Sequence, residues 1–284
     1  MALIYVTSAN PGEGKTGVAA AIARSLAYAG SPVRLVRIQD GDGSHAAADA
    51  KWFASLDFAP GSPAEVQAEV PPGGAAETII AEGPAASAPP DAKVVLVARG
   101  KRPGSLPAGT AAVVVTAVSG LQGAQAIEGS PIEVRLGDDR TLAGFSISEA
   151  KAALDAEVLV EGEEGDPTSD HLVIAPIGAD AGQPYFRRFE SKAVVVRFDK
   201  TDQHLAAIRG RSNVLILTGG KHPSANLVDA ATSSGVPVLL SAADTESTVA
   251  ALDGIFDGTR FQGGRKLDRM AALLAGTGLA ESLS

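Results

Sequence analysis

A glycine-rich turn between an apolar run and an alanine-rich segment constrains the fold of this chain more than any other feature. The apolar run is LIYV (residues 3–6), and the turn lies in TSANPGEGKT (residues 7–16). Residues 16–29 are rich in alanine, leucine and arginine and end before Gly30 and Pro32, which is typical of a helix and its stop signal. A strand, a glycine turn and a helix in this order predict an α/β fold built on a parallel sheet.

The same alternation continues along the chain. Short runs rich in β-branched residues favour buried strands, and alanine-rich stretches between them favour helices. The strand-like runs are ALIYV, VRLVRI, ETIIAE, KVVLVA and AAVVVTAV in the first half, and HLVIAPI, KAVVVRF, NVLILTGG and VPVLLS in the second. Besides the helix at residues 16–29, helices are predicted at residues 202–208, 224–233, 245–252 and 266–274.

An acidic, turn-forming stretch, VEGEEGDPTSD (residues 160–170), separates the two halves. A shift of composition of this kind marks a candidate domain boundary. We predict a parallel-sheet domain over residues 1–165 and a smaller α/β domain over residues 168–284.

Composition excludes several classes of function. A net charge of -9 offers no general attraction to nucleic acid or to anionic membranes, so neither is expected as a partner. The absence of cysteine excludes disulfides, cysteine-bound metals and thiol nucleophiles. No run reaches the roughly 18 to 20 apolar residues of a spanning helix, and the first residues lack the basic leader of a signal peptide. We expect a cytoplasmic protein.

The glycine turn has the chemistry of a phosphate-binding loop. In such a loop, backbone N–H groups surround the phosphates, a lysine adds positive charge and a hydroxyl binds Mg²⁺. The pattern G-x-x-x-x-G-K-[ST] fits except at its first position, where Ala9 stands. We predict a site for ATP and Mg²⁺, the alternative being a plain strand-to-helix turn. The predicted nucleotide-binding residues are Asn10, Gly12, Glu13, Gly14, Lys15, Thr16 and Gly17.

Residues 1 to about 165 resemble the dethiobiotin-synthetase-like branch of P-loop proteins, in which a small residue often replaces the first glycine. The resemblance rests on the loop, on RLVRI with the acidic segment behind it, and on IIAEGP. It implies catalytic roles for Lys15, Thr16 and Glu82, and a Mg²⁺ site made by Thr16, Asp49 and Glu82. Asp40 and Asp42 are alternatives to Asp49. Glu82 also ends a predicted strand, and strand ends of parallel sheets face the ligand crevice.

The second half resembles the DRTGG domain. Thr218, Gly219 and Gly220 match its last letters, whereas FDKTD (residues 198–202) stands where that family often has a GDR element. The two domains in this order are found ahead of the catalytic domain in long bacterial phosphotransacetylases. The resemblance implies a homodimer formed through the DRTGG domain, with a phosphotransacetylase catalytic chain as a candidate partner. TGGKH (residues 218–222) is either a tight turn or a further anion site.

Two functions remain open from the sequence. The first is a regulatory or assembly protein that binds Mg²⁺ and ATP, with at most weak hydrolysis. The second is an ATP-dependent ligase of the dethiobiotin synthetase type, acting on a small carboxylate or carbamate. Two departures from that enzyme stand out: Arg37 replaces a second-strand lysine near the substrate, and Thr116 replaces the asparagine that reads the base. Arg37 is therefore a candidate group for the substrate carboxylate.

Overall fold

The computed structural model describes residues 2–39, 45–162, 166–175 and 185–283. In these ranges the strands are β1 (Ala2–Ser8), β2 (Val33–Arg37), β3 (Thr78–Glu82), β4 (Lys93–Arg99), β5 (Thr110–Val118), β6 (Ala124–Ile127), β7 (Ile132–Gly137), β8 (Phe145–Ser146), β9 (Glu157–Val160), β10 (Thr168–Ser169), β11 (His171–Ile174), β12 (Lys192–Arg197), β13 (Val214–Thr218) and β14 (Val238–Leu240). The α-helices are α1 (Lys15–Tyr28), α2 (Ala46–Ala54), α3 (Arg140–Ala143), α4 (Ile147–Leu154), α5 (Thr201–Arg209), α6 (Ala225–Ser233), α7 (Thr245–Ile255), α8 (Gly264–Ala275) and α9 (Leu279–Leu283). A short 3₁₀ turn lies at Ala85–Ser87.

The chain forms two compact units. The first contains residues 1–139 and 264–284, and the second contains residues 140–263. Both are α/β and mostly parallel, as the alternation of apolar and alanine-rich segments predicts.

The sheet of the first unit has seven strands in the order β2-β3-β1-β4-β5-β7-β6 within the described residues. Every neighbouring pair is parallel except β6 and β7. Residues 33–37, 78–82 and 94–98 are buried almost throughout, because helices cover a parallel sheet on both faces and leave its central strands continuously apolar. The register pairs Val6 of β1 and Arg37 of β2 with Glu82 of β3, so the carboxyl ends of these strands lie side by side.

The last two helices complete the first unit. Leu267, Met270, Leu273 and Leu274 form the buried face of α8, which packs against α1. Arg24 of α1 forms an ion pair with Asp268 of α8. An amphipathic helix needs a surface on which to bury its apolar stripe, and α1 provides it.

The second unit has a five-stranded sheet in the order β11-β12-β13-β14-β9, in which only β9 is antiparallel. Helix α4 begins at Ser146 with a capping box, in which the side chains of Ser146 and Glu149 each bond to the other's backbone N–H. Two apolar clusters form the core; one contains Phe186, Val194, Leu215 and Leu227, and the other contains Phe145, Ile216 and Leu252.

The two units have other bounds than the domains that the sequence predicts. Strand β9 (Glu157–Val160) pairs with β14, so the second unit begins before the acidic stretch that the sequence indicates as a boundary. Residues 264–284, placed by sequence in the second domain, belong to the first unit because α8 buries its apolar face there. Composition shows where a loop lies, but long-range packing decides which unit a segment joins.

No helix in the described part of the chain is both long enough and apolar enough to span a membrane.

Candidate functional site

The glycine-rich loop connects β1 to α1 at the carboxyl edge of the first sheet. Gly12 has φ +76° and Gly14 has φ +101°, a left-handed conformation that glycine adopts with little strain. Non-glycine residues of positive φ in the described chain are Ala117, Asp155 and Arg211, so Ala9 is not one of them. The backbone of this loop therefore does not require glycine at its first position, and Ala9 leaves its course intact.

Side chains inside the loop fix its shape. Glu13 accepts hydrogen bonds from Asn10 at both carboxylate oxygens: from the backbone N–H (3.1 Å) and from the side-chain amide (3.0 Å). The hydroxyl of Ser8 donates to the carbonyl of Asn10 (2.7 Å). Asn10 and Glu13 thus order the loop through contacts between its own residues.

Thr116 of β5 supports the glycine-rich loop through a hydrogen bond to its backbone. Its hydroxyl donates to the carbonyl oxygen of Glu13 (2.9 Å), and the carbonyl oxygen of Ala98 lies 3.3 Å away. A Cβ on Gly14 would lie 3.4 Å from the Thr116 methyl group. The resemblance to dethiobiotin synthetases implies a base-reading asparagine at the position of Thr116; in the structure the Thr116 hydroxyl bonds to the loop backbone instead.

Thr16 and Glu82 meet at this edge. The Thr16 hydroxyl, in the first turn of α1, donates to Oε1 of Glu82 at 3.0 Å. Glu82 is 1% exposed, and its Oε2 has no hydrogen-bond partner among the described residues. Burial raises the pKa of the Glu82 carboxyl to about 7; the positive charge of Arg37 opposes the shift, Asp49 adds to it, and Lys15 and the Thr16 hydroxyl oppose it. A buried carboxylate with an open oxygen is a group that a cation would stabilise.

Arg37 and Asp49 complete the cluster. The Arg37 Nε lies 3.7 Å from Asp49 Oδ2 and 3.8 Å from Glu82 Oε1, and all three residues are buried. Arg37 also donates from Nη1 to the carbonyl of Ile38. Asp49 comes from the first turn of α2. The alternatives Asp40 and Asp42 lie outside the described residues.

The donor set can be tested for its fit to Mg²⁺. In the described ranges no group of three or more His, Asp or Glu side chains could hold a metal, so the site is not an all-protein cage. Mg²⁺ bound to a nucleotide needs only one or two carboxylates, because phosphate oxygens and water fill the other positions. The Thr16 hydroxyl donates its hydrogen bond to Glu82 Oε1 and keeps its oxygen lone pairs for a metal, and Glu82 Oε2 has no hydrogen-bond partner among the described residues. The residues present therefore fit a nucleotide-bound Mg²⁺.

The sequence left TGGKH in the second unit either as a tight turn or as an anion site. The backbone N–H groups of Gly219 and Gly220 donate to Ala243 (2.8 Å) and Ser241 (3.0 Å). A Cβ on Gly219 would lie 2.8 Å from the ring of Phe198. The glycines thus allow close packing and join two strand ends, and their N–H groups are occupied, which favours the turn.

Comparison with known proteins concerns the second unit. Residues 149–255 match the DRTGG domain family. This confirms the domain that Thr218, Gly219 and Gly220 indicate. A crystal structure of the CBS and DRTGG domains of the regulatory region of Clostridium perfringens pyrophosphatase, complexed with the activator diadenosine tetraphosphate, is similar with a TM-score of 0.37 and 19% identity. That match covers 45% of this chain and 56% of the other, hence little more than half of the protein compared.

Proposed function

We propose that the first unit binds ATP with Mg²⁺ and that the whole chain is a regulatory or assembly protein. One observation carries the proposal: Thr16 donates to buried Glu82 directly beside a loop with two left-handed glycines. This arrangement places backbone donors, a lysine and a carboxylate at the amino end of α1, where the helix dipole also favours an anion.

Each residue has a role in this proposal. The backbone of residues 12–16 surrounds the phosphates, Lys15 contacts the terminal phosphates, and Thr16 with Glu82 holds the metal. Asp49 adds negative charge beside Glu82. Arg37, which lies within 4 Å of both carboxylates, partly neutralises that charge. When bound, Mg²⁺ would supply positive charge that offsets the negative charge of the phosphates and of the buried carboxylate.

The ligase alternative needs a basic group for a substrate carboxylate. Arg37, the candidate from sequence, is 4% exposed and lies within 4 Å of both Asp49 and Glu82. An arginine held in this way is unavailable to a substrate unless both ion pairs break. This favours a protein that holds the phosphates without processing a second substrate, with weak hydrolysis as its only expected activity.

The second unit, which contains the DRTGG domain, is the part we propose to self-associate. A phosphotransacetylase catalytic chain is the partner we propose for the assembled protein, by analogy with the domain order of the long enzymes.

Calorimetric titration of ATP into the Mg²⁺-containing protein tests the nucleotide site. We expect a Mg²⁺-dependent ATP site that is lost in Lys15→Ala, because the loop then lacks its only side-chain cation; binding that does not require Mg²⁺ is not counted toward this site. Lys51→Ala, an exposed lysine of α2, is the control and should bind as the parent does. Absence of binding by the parent at millimolar ATP would reject the nucleotide proposal. Phosphate release that rises strongly with a small carboxylic acid would instead support the ligase.

A further inference from the structure

The second unit has a cavity of about 710 Å³ at the amino-terminal ends of its parallel strands. The segments that precede β12, β13 and β14 line it, through Glu190, residues 208–209 and 211–213, and residues 234–237. The TGG turn follows the carboxyl end of β13, so the cavity lies at the other edge of the same sheet. Its volume is within the range of about 300 to 1,000 Å³ typical of small-molecule sites.

The cavity wall contains a turn, residues 209–213, which we call the arginine turn. Arg209 is the last residue of α5, Gly210 is its C-cap and Arg211 follows. Buried Lys192 fixes the turn by donating from Nζ to the carbonyls of Gly210 (2.7 Å) and Arg211 (3.1 Å). The side-chain amide of Asn213 donates to the carbonyl of Thr168 (2.8 Å). The turn is therefore held at both ends.

Arg211 has a left-handed backbone conformation, which residues with a side chain rarely adopt. Its φ is +54°, at the position after a helix where glycine or asparagine is usual. A residue kept in this region against its preference is a reason to look for a function. The guanidinium group of Arg211, which the backbone of the turn does not require, is therefore a candidate for a binding role.

The charges in the cavity favour an anion. Arg209 and Arg211 are exposed and have no side-chain hydrogen bond or ion pair within the described residues. Lys192 already satisfies the carbonyls of the turn, so the two guanidinium groups are not needed as helix caps. Among the lining residues that the structure describes, Glu190 is the acidic one, which leaves a net positive cavity in a chain of net charge -9.

We propose that this cavity binds a small phosphate-bearing molecule through Arg209 and Arg211. Guanidinium groups recognise phosphate by paired hydrogen bonds, and Asn213 and Ser234 add polar groups to the same wall. The site lies in the second unit and does not depend on the glycine-rich loop of the first.

The test uses the full chain carrying Lys15→Ala, so that a nucleotide in the first unit does not contribute. Inorganic pyrophosphate and ADP are titrated in separate calorimetric experiments without Mg²⁺. Equal affinity for the two would identify phosphate alone as the recognised group, and tighter binding of ADP would identify a nucleotide.

Arg211→Gly is the informative variant, because glycine suits the left-handed backbone and the protein should fold at least as well. We expect its Tm to be unchanged or raised by up to about 4 °C, while affinity for the anion falls tenfold or more. Asp155→Gly is the matched control, since Asp155 is another left-handed residue of this unit, at φ +46°, that does not line the cavity. It should bind as the parent does.

Arg209→Gln should also weaken binding. The proposal is overturned if neither anion binds at about 10 mM, ten times the upper end of roughly 1 mM of ordinary physiological substrate levels. It is also overturned if Arg211→Gly and Asp155→Gly bind equally well.

Discussion

Replacing Glu82 by glutamine should stabilise the metal-free protein at neutral and higher pH. The pKa of Glu82 is raised by burial from 4.5 to about 7 in the folded chain. Above pH 7 the carboxyl is ionised in both folded and unfolded states, and the folded protein bears the cost of a buried charge. Below pH 4.5 both states are protonated and the cost vanishes. Stability due to this group therefore falls as pH rises from about 4.5 to about 7.

The magnitude follows from the interval between the two pKa values. At about 1.4 kcal/mol for each pH unit, the interval from 4.5 to about 7 corresponds to about 3 kcal/mol at pH 8. Glutamine resembles the protonated glutamate and can still accept the hydrogen bond from Thr16, so Glu82→Gln should recover most of this energy. For a unit of this size the gain corresponds to a rise in Tm of about 6 to 12 °C.

The assay is thermal unfolding of parent and variant in buffer containing EDTA, at pH 5 and pH 8. We expect a large difference in Tm at pH 8 and a small one at pH 5. Mg²⁺ with ATP should then raise the Tm of the parent much more than that of the variant. Equal stability at pH 8, or a difference that does not change with pH, would refute the reasoning.

Glu133→Gln is the control, because Glu133 is also a buried carboxylate of the same sheet but accepts hydrogen bonds from two arginines. Burial acts to raise its pKa, but hydrogen bonds from Arg135 (2.7 Å) and Arg102 (2.9 Å) outweigh burial and lower it. A carboxyl group whose pKa is lowered in the folded state stabilises the protein at pH values above its unfolded pKa. This stability is lost as the pH falls toward the lowered pKa. Glu133→Gln should accordingly lower the Tm at pH 8, opposite to Glu82→Gln.

Two further predictions concern the loop and the assembly. Thr116→Val removes the hydroxyl that bonds to the Glu13 carbonyl, and it should weaken ATP binding about tenfold and lower the stability by about 1 kcal/mol. Thr116→Ser keeps a hydroxyl and should restore both. If calorimetry shows that Thr116→Val binds ATP as tightly as the parent, Thr116 does not support the loop. The full chain should be a dimer in light scattering at micromolar concentration, through the unit that contains the DRTGG domain, and a strictly monomeric chain would count against that proposal.

The sequence predicts the buried strands well because their signal is local. Runs such as TIIAE and VLILT lie in the middle of parallel sheets and are apolar on both faces, so their burial needs no knowledge of their neighbours. The predicted helix at residues 16–29 is found at Lys15–Tyr28, because its alanine-rich composition and its stop signal are also local. Strands β6 and β7 were not predicted: AQAI is mostly exposed, and IEVRLG mixes charges with apolar residues.

The candidate site was predictable where it depends on neighbours in sequence and not where it depends on strand register. The loop motif indicates Gly12, Gly14, Lys15 and Thr16 without a structure. The position of Thr116 under the loop depends on the order of β1, β4 and β5 in the sheet, and the ion pairs of Arg37 depend on its register opposite Glu82. Arg209 and Arg211 carried no signal, because neither belongs to a motif and a left-handed arginine is visible only in the backbone.

The two departures from a dethiobiotin synthetase have the same physical consequence. Arg37 and Thr116 stand where substrate and base contacts are expected, and each is instead bonded to groups inside the first unit. On our proposal the loop keeps its phosphate-binding groups, whereas the side chains expected to contact a second substrate or the base bond within the unit. On our proposal, nucleotide acts by shifting the protein between two states, which requires a different affinity for each. On this proposal Glu82 links the binding of Mg²⁺ to the stability of the folded unit, because its buried charge is costly without a cation and favourable with one. If Glu82→Gln removes the effect of Mg²⁺ and ATP on Tm, the energy available for regulation comes from this carboxylate and not from the loop alone.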